Sequence, residues 1–123
     1  MQAWSRPGAR ESLLALQDNH GLNVPLILWA LWLDAERRDG DVTAAVDLAR
    51  LWSPAVDPLR AARRALKTEA APIEDAGRLA LRRRVQALEL EAERLLINAL
   101  ETVAHDAPAA EPLLPRVLRA WLC

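Results

Sequence analysis

The sequence predicts an all-α fold, a single-domain helical bundle of five to six helices. Alanine and leucine make up 47 of the 123 residues, whereas valine, isoleucine and threonine together contribute only 13. Straight-chain and methyl side chains favour helices, while β-branched and aromatic side chains favour strands. Tyrosine and phenylalanine are absent. Because 123 residues is close to the size of one ordinary domain, we expect a single hydrophobic core for residues 1–123.

The first predicted helix occupies the residues before Gly21. Ser5 and Pro7 fit its beginning, and residues 1–6 are expected to form a loop. Gly21 follows His20 and fits the residue after a helix end that adopts the left-handed conformation. The sequence therefore predicts a turn between the first two helices at Gly21.

The second predicted helix is the central helix of the bundle. Asn23 is placed as its N-cap, and Pro25 falls in its first turn, where the missing N–H costs nothing. Residues 24–33, VPLILWALWL, are apolar on every side of a helix, so we expect neighbouring elements to surround it. The helix is predicted to run to about Arg38 and to end at residues 39–41.

Two shorter helices are predicted next. Asp41 or Thr43 fits the N-cap of the third helix, which runs to about Leu51. The Ser-Pro pair at residues 53–54 is expected to end this helix and to begin a fourth, which continues to about Thr68.

The fifth predicted helix is the longest and spans about residues 73–104. One set of its apolar residues steps alternately by four and three positions, which is the spacing of a seam between packed helices. This seam consists of Leu81, Val85, Leu88, Ala92, Leu95, Ala99 and Thr102. A second apolar ridge near the end of the helix consists of Leu96, Ile97, Leu100 and Val103. We therefore expect this end to contact more than one neighbour.

The remaining chain is predicted to form a linker and a short helix. Residues 105–111 are rich in alanine and contain Pro108, so we expect a loop or linker there. Pro112 is placed to open a terminal helix that ends at Leu122.

Basic residues concentrate in the middle of the chain, although 16 basic and 17 acidic residues nearly cancel overall. Four cations of the fourth helix recur at one-face spacing, and three more begin the fifth helix. They are Arg60, Arg63, Arg64, Lys67, Arg82, Arg83 and Arg84. If both sets point the same way, they form a basic face that binds nucleic acid or a ribosome surface. The alternative, which we favour, is a solvated face or one neutralised by Glu89, Glu91 and Glu93 of the long helix.

A polar cluster marks the corner between the first two predicted helices. It consists of Gln17, Asp18, His20 and Asn23. Such side chains are able to form a small-ligand, acid-base or single-metal site. A tight helix corner also needs polar caps for its unpaired backbone groups, and we expect that structural role here.

The inventory of reactive residues predicts no enzyme, no cofactor and no metal site. The single cysteine is the last residue, and the two histidines lie far apart in the sequence. The four glycines do not cluster into a phosphate-binding loop. The N-terminus lacks an apolar signal segment, and the longest apolar run, residues 24–33, is too short for a bilayer. We therefore expect a soluble cytoplasmic protein that is not associated with a membrane.

Three segments stand out together: ALQDNHGLNVPLILWALWL at residues 15–33, PLRAARRALK at residues 58–67 and RVQALELEAERL at residues 84–95. In this order and spacing they resemble a family of short bacterial proteins known only as a domain of unknown function. The most specific part is the Gln-Asp-x-x-Gly-x-Asn-Val core that precedes a tryptophan-rich apolar helix. The resemblance covers roughly residues 4–100. It implies a helical fold in a bacterial cytoplasm and brings no activity, cofactor or catalytic residue.

These observations favour a protein-interaction module, an adaptor or regulator that presents helix faces to a partner. The reactive inventory is sparse, and the long helix has two apolar ridges, one of which is expected to exceed what a monomer of five or six helices covers. Self-association is the simplest way to cover that ridge, whichever of the two it is. Binding of nucleic acid through the basic face is the first alternative, and a small-ligand site at the polar corner is the second.

Overall fold

The computed structural model describes residues 21–123, which are mostly helical as predicted. Four helices lie in this range: α1 (Val24–Ala35), α2 (Val42–Ala65), α3 (Asp75–Glu101) and α4 (Leu113–Leu122). Two short strands, β1 (Arg38–Gly40) and β2 (Ala104–Pro108), form an antiparallel sheet. The predicted first helix lies outside the described residues. Within them, the helix count is lower than predicted because two predicted helices are one.

α1 is buried over most of the apolar run that the sequence predicts to be surrounded, but Leu31 in that run is 43% exposed. The Leu26 N–H donates to Asn23 Oδ1 at 3.0 Å, so Asn23 is the N-cap. All residues from Val24 to Ala30 are buried. The helix nevertheless ends at Ala35 rather than near Arg38. Arg37 adopts the left-handed conformation with φ 56°, and this conformation ends the helix and turns the chain into β1.

The helix break predicted at residues 53–54 is wrong, because α2 is continuous there. Pro54 and Pro58 both lie inside one continuous helix. Interior proline costs about 3 kcal/mol because it removes a backbone hydrogen bond. Contacts with α3 on both sides of the prolines hold α2 together. The Trp52 indole donates to the Ala92 carbonyl at 2.7 Å, and Arg63 pairs with Glu89 at 2.6 Å.

α3 matches the predicted long helix, and Gly77 does not interrupt it. The linker predicted at residues 105–111 is corrected, since its first part belongs to β2. Alanine, aspartate and proline are poor strand formers, so the sequence contains no strand signal here. The ends of α1 and α3 bring the two segments together. Asp41 N–H donates to the Val103 carbonyl at 3.0 Å, at the edge of this sheet.

The core joins α1 to α4, the terminal helix that begins one residue after the predicted Pro112. Leu113 and Val117 are fully buried in one cluster with residues of α1, α2 and α3. Asp34 of α1 supplies the cap that Pro112 cannot. Its Oδ1 accepts from Leu113 N–H at 2.6 Å, and its Oδ2 accepts from Leu114 N–H at 3.0 Å. A single carboxylate thus ties α1 to α4.

Replacing Asp34 with alanine should lower the free energy of unfolding by about 0.5–2 kcal/mol, the usual cost of losing a helix cap. Both N–H groups at the start of α4 lose their acceptor. Urea unfolding followed by circular dichroism measures the change. Asp47→Ala is the control, since Asp47 is exposed on α2, and it should change the free energy by less than about 0.5 kcal/mol. Equal effects of the two substitutions would contradict the proposed cap.

Candidate functional site

The face of α3 that packs into the core is charged in one half and apolar in the other. Leu96 and Leu100 are buried where α3 meets the core cluster. Continuing along the same face by steps of three and four leads to Glu93 and Glu89, which are also buried. Because the apolar end fixes the rotation of the helix, these glutamates must face inward. The second predicted ridge is therefore the core contact.

An ion pair between α2 and α3 compensates for one buried glutamate. Arg63 Nε donates to Glu89 Oε2 at 2.6 Å, and the side chains are only 6% and 3% exposed. A second buried arginine, Arg78, donates to the Leu66 carbonyl at 2.7 Å and pairs with Asp75 at 2.6 Å. Cations near the α2–α3 turn thus stabilise the helix hairpin.

The predicted seam of α3 is wrong for its leucines, which lie at the surface, whereas Val85, Ala92 and Ala99 of the same seam are partly buried. Leu81, Leu88 and Leu95 are 44%, 52% and 56% exposed. The three residues are spaced by seven positions, so they form one row along the helix, here termed the leucine stripe. The stripe extends for about 21 Å along the helix axis. An apolar row of this length with no covering element among the described residues is a candidate binding surface.

An apolar groove adjoins one end of the leucine stripe. It has a volume of about 220 Å³. Its lining comes from α2 and α3: Leu48, Leu51, Trp52, Leu95, Leu96 and Ala99. Leu51 is 74% exposed at its rim. The Trp52 indole is held by its hydrogen bond to Ala92, so the groove wall is preorganised.

A second hollow adjoins the other end of the stripe, at the turn between α2 and α3. Its volume is about 280 Å³, and its lining includes Leu66, Ile73 and Leu81. Ile73 is exposed. The leucine stripe therefore runs from one apolar hollow to another along the hairpin.

Charged residues border the stripe on the side away from α2. Arg84 and Glu91 are exposed and lie seven positions apart, so they share one edge of α3. No ion pair within residues 21–123 involves either of them. A partner helix on the stripe would meet one positive and one negative group along this edge.

The seven predicted cations do not share one face. Arg63 is buried against Glu89, and Arg60 pairs with Asp57 on its own helix. Arg82 to Arg84 are consecutive residues, whose side chains point about 100° apart around a helix. Four of the seven are exposed: Arg64, Lys67, Arg83 and Arg84. The predicted basic face is thus reduced to scattered surface cations.

The polar corner is described only at Asn23, whose side chain caps α1. Gln17, Asp18 and His20 lie outside the described residues. A crevice beside Asn23 measures about 90 Å³, whereas ligand pockets usually measure about 300–1,000 Å³. Within residues 21–123, no group of His, Cys, Asp and Glu side chains is arranged to hold a metal ion.

A polar surface network surrounds Trp32 at the end of α1. The Trp32 indole donates to Glu36 Oε2 at 3.0 Å, and the Arg38 guanidinium lies 4.9 Å from the indole centroid. A hydrogen bond from Arg38 lowers the pKa of Glu36 below its usual range. At the neighbouring strand, a hydrogen bond from Arg116 likewise lowers the pKa of Asp39. Both carboxylates are thereby held in the charged form and act as structural partners.

Comparison with known proteins identifies the family of this chain. A family described as a protein of unknown function, DUF2390, matches residues 1–100. The chain belongs to the DUF2390 family. No curated protein and no solved structure matches it. In the described part of this DUF2390 chain, no helix has both the length and the apolar character that a membrane crossing requires.

The DUF2390 match contains the complete leucine stripe and its charged edge, since both end before residue 100. The sequence predicts all three leucines as part of a seam between packed helices, whereas the structure exposes them in one row. The sequence does not predict Leu51 and Ile73 as surface residues, because their exposure depends on how α2 and α3 pack against each other. Both residues are recognised as neighbours of the leucine stripe only when α2 and α3 are placed side by side.

Proposed function

We propose that this DUF2390 chain is a small protein-interaction module, an adaptor or regulator that binds an amphipathic helix of a partner. The supporting observation is the leucine stripe, with three half-exposed leucines at heptad spacing on a 27-residue helix. Apolar residues at this spacing pack well against a second helix. The apolar hollows at both ends of the stripe add pockets for partner side chains. The proposal includes no catalytic step, cofactor or metal, and keeps the bacterial cytoplasmic setting that the resemblance implies.

Affinity purification of the full chain from its native host, with nuclease treatment, tests this function. We compare the natural chain with Leu88→Glu and with Ala87→Glu, which places the same charge one residue away from the stripe. We expect a defined partner to be retained by the natural chain and by Ala87→Glu, and to be lost with Leu88→Glu. The purified partner should then bind the purified chain in a fixed ratio, at least about tenfold more weakly after Leu88→Glu.

Two outcomes would overturn the proposal. One is the absence of any partner whose binding depends on Leu88. The other is capture that disappears on nuclease treatment and weakens steeply with salt, which would favour the exposed cations Arg64, Lys67, Arg83 and Arg84 as a nucleic-acid contact.

A further inference from the structure

We infer that the helix bound by the leucine stripe is α3 of a second copy of this chain, lying antiparallel to the first. This inference rests on the proposed function, since it names the partner of that same surface. The resulting homodimer has a two-fold axis that passes close to Leu88. Such an interface is isologous, so each feature of the surface must meet its counterpart when the helix is reversed.

The spacing of the stripe satisfies that requirement. Leu81 and Leu95 lie at equal distances of seven residues on either side of Leu88. When two copies are antiparallel, Leu88 lies near Leu88 of the partner subunit, and Leu81 lies near Leu95 of the partner subunit. The row of leucines therefore matches the same row of a second copy that runs in the opposite direction.

The two apolar hollows also match when the second copy runs in the opposite direction. The groove beside Leu95 has Leu51 protruding at its rim, and the hollow beside Leu81 contains the exposed Ile73. The antiparallel arrangement brings the Leu51 end of one copy to the Ile73 end of the other. Each protruding apolar side chain then has a hollow to occupy, and this happens twice in the dimer.

The charged edge selects the antiparallel orientation. A two-fold axis near Leu88 places Arg84 at the level of Glu91 of the partner subunit, because the two positions lie almost symmetrically about residue 88. In an antiparallel pair, the charged edges of the two helices lie on the same side of the interface. Arg84 of each copy therefore pairs with Glu91 of the partner subunit, and two such pairs form. A parallel pair in the same register would place Arg84 at the level of the second Arg84, and Glu91 at the level of the second Glu91. Exposed ion pairs contribute little affinity, but like charges discriminate against the wrong orientation.

Analytical ultracentrifugation of the full chain at several concentrations tests the inference. We expect a concentration-dependent dimer for the natural chain and a monomer for Leu88→Glu. Arg84→Glu and Glu91→Arg should each raise the dimer dissociation constant about tenfold, because each places two like-charged pairs in the interface. An equimolar mixture of these two variants should restore association, since the mixed dimer regains both opposite-charge pairs. Arg94→Glu, on the same helix but away from the stripe, should leave the dissociation constant unchanged.

Circular dichroism and urea unfolding accompany each variant. A monomeric natural chain would overturn the dimer, while the proposed function would stand if a different protein still bound in a Leu88-dependent manner. A monomer that is clearly less stable after Leu88→Glu would show that the chain covers the stripe itself, and would overturn both proposals. A dimer that is lost with Leu88→Glu but insensitive to Arg84→Glu and Glu91→Arg would overturn the antiparallel orientation.

Discussion

Replacing Arg63 with methionine is expected to lower the free energy of unfolding by about 3–5 kcal/mol, because it leaves the buried Glu89 carboxylate without its cation. The pair is almost fully removed from water, with N–O contact at 2.6 Å. Domains of this size are usually stable by only about 5–15 kcal/mol, so the loss should be visible as a large shift in the urea midpoint. Tryptophan fluorescence and circular dichroism should report the same transition.

The Arg63 prediction is best tested as a double-mutant cycle with Glu89→Leu. Each single substitution removes one member of the buried pair and leaves the other, whereas the double substitution removes both members together. The double variant should therefore lose less stability than the two single variants summed, by about 1–3 kcal/mol. Arg64→Met is the control, since its exposed side chain adjoins Arg63 in sequence. An additive cycle would mean that Arg63 and Glu89 do not stabilise each other.

Adding a methyl group at Gly40 is expected to destabilise the protein by about 1–3 kcal/mol through overpacking. A Cβ atom on Gly40 would lie 2.6 Å from Trp29 Cζ2 and 2.9 Å from Leu33 Cδ1, much closer than van der Waals contact allows. Trp29 and Leu33 are both fully buried, so neither side chain has space to move away. Thermal and urea unfolding of Gly40→Ala measure the loss.

Gly77→Ala provides a control of opposite sign for the Gly40 prediction. Its added Cβ would contact only the Glu74 side chain, at 3.9 Å, and Gly77 lies within α3. Alanine in a helix is favoured over glycine, so this variant should be more stable by about 0.5–1 kcal/mol. In a Trp29→Phe background, Gly40→Ala should cost less, because the smaller ring leaves room for the methyl group. An unchanged cost in that background would show that the indole is not the obstacle.

The helical class and the position of α1 follow directly from local patterns. Asn23 is a strong N-cap residue, Pro25 fits the first turn, and the apolar run that follows requires burial on all sides. These signals depend only on neighbouring residues. The long helix α3 is predicted equally well, because its sequence contains no proline that would end the helix early.

Features that depend on distant partners were not predictable. Pro54 predicts a break in any isolated helix, whereas contacts with α3, such as those of Trp52 and Arg63, stabilise the continuous α2. The β1 strand has the sequence Arg-Asp-Gly, which favours a turn in isolation. It pairs with β2 because the left-handed Arg37 directs the chain toward the end of α3.

The orientation of α3 shows why the candidate surface was predicted in its residues but not in its role. Leucines at heptad spacing favour the interior, and glutamates such as Glu89 favour solvent. The buried arginine that reverses this preference comes from another helix, 26 positions earlier in the chain. The sequence offers Glu89 as one of several acidic residues able to neutralise the basic residues of α2, and this alternative holds for Arg63. It does not show which glutamates turn inward, so the leucines are predicted to lie between packed helices.

The two hydrogen bonds that Asp34 accepts from α4 also bear on how the chain can be divided. The family match stops at residue 100, before β2 and α4, yet Leu113 and Val117 complete the apolar cluster around α1. A fragment trimmed to the matched range would expose Trp29 and its neighbours and leave Asp34 with no helix to cap. We therefore expect the folding unit to extend past the region by which the family is recognised, and expression fragments should be designed to include Leu122.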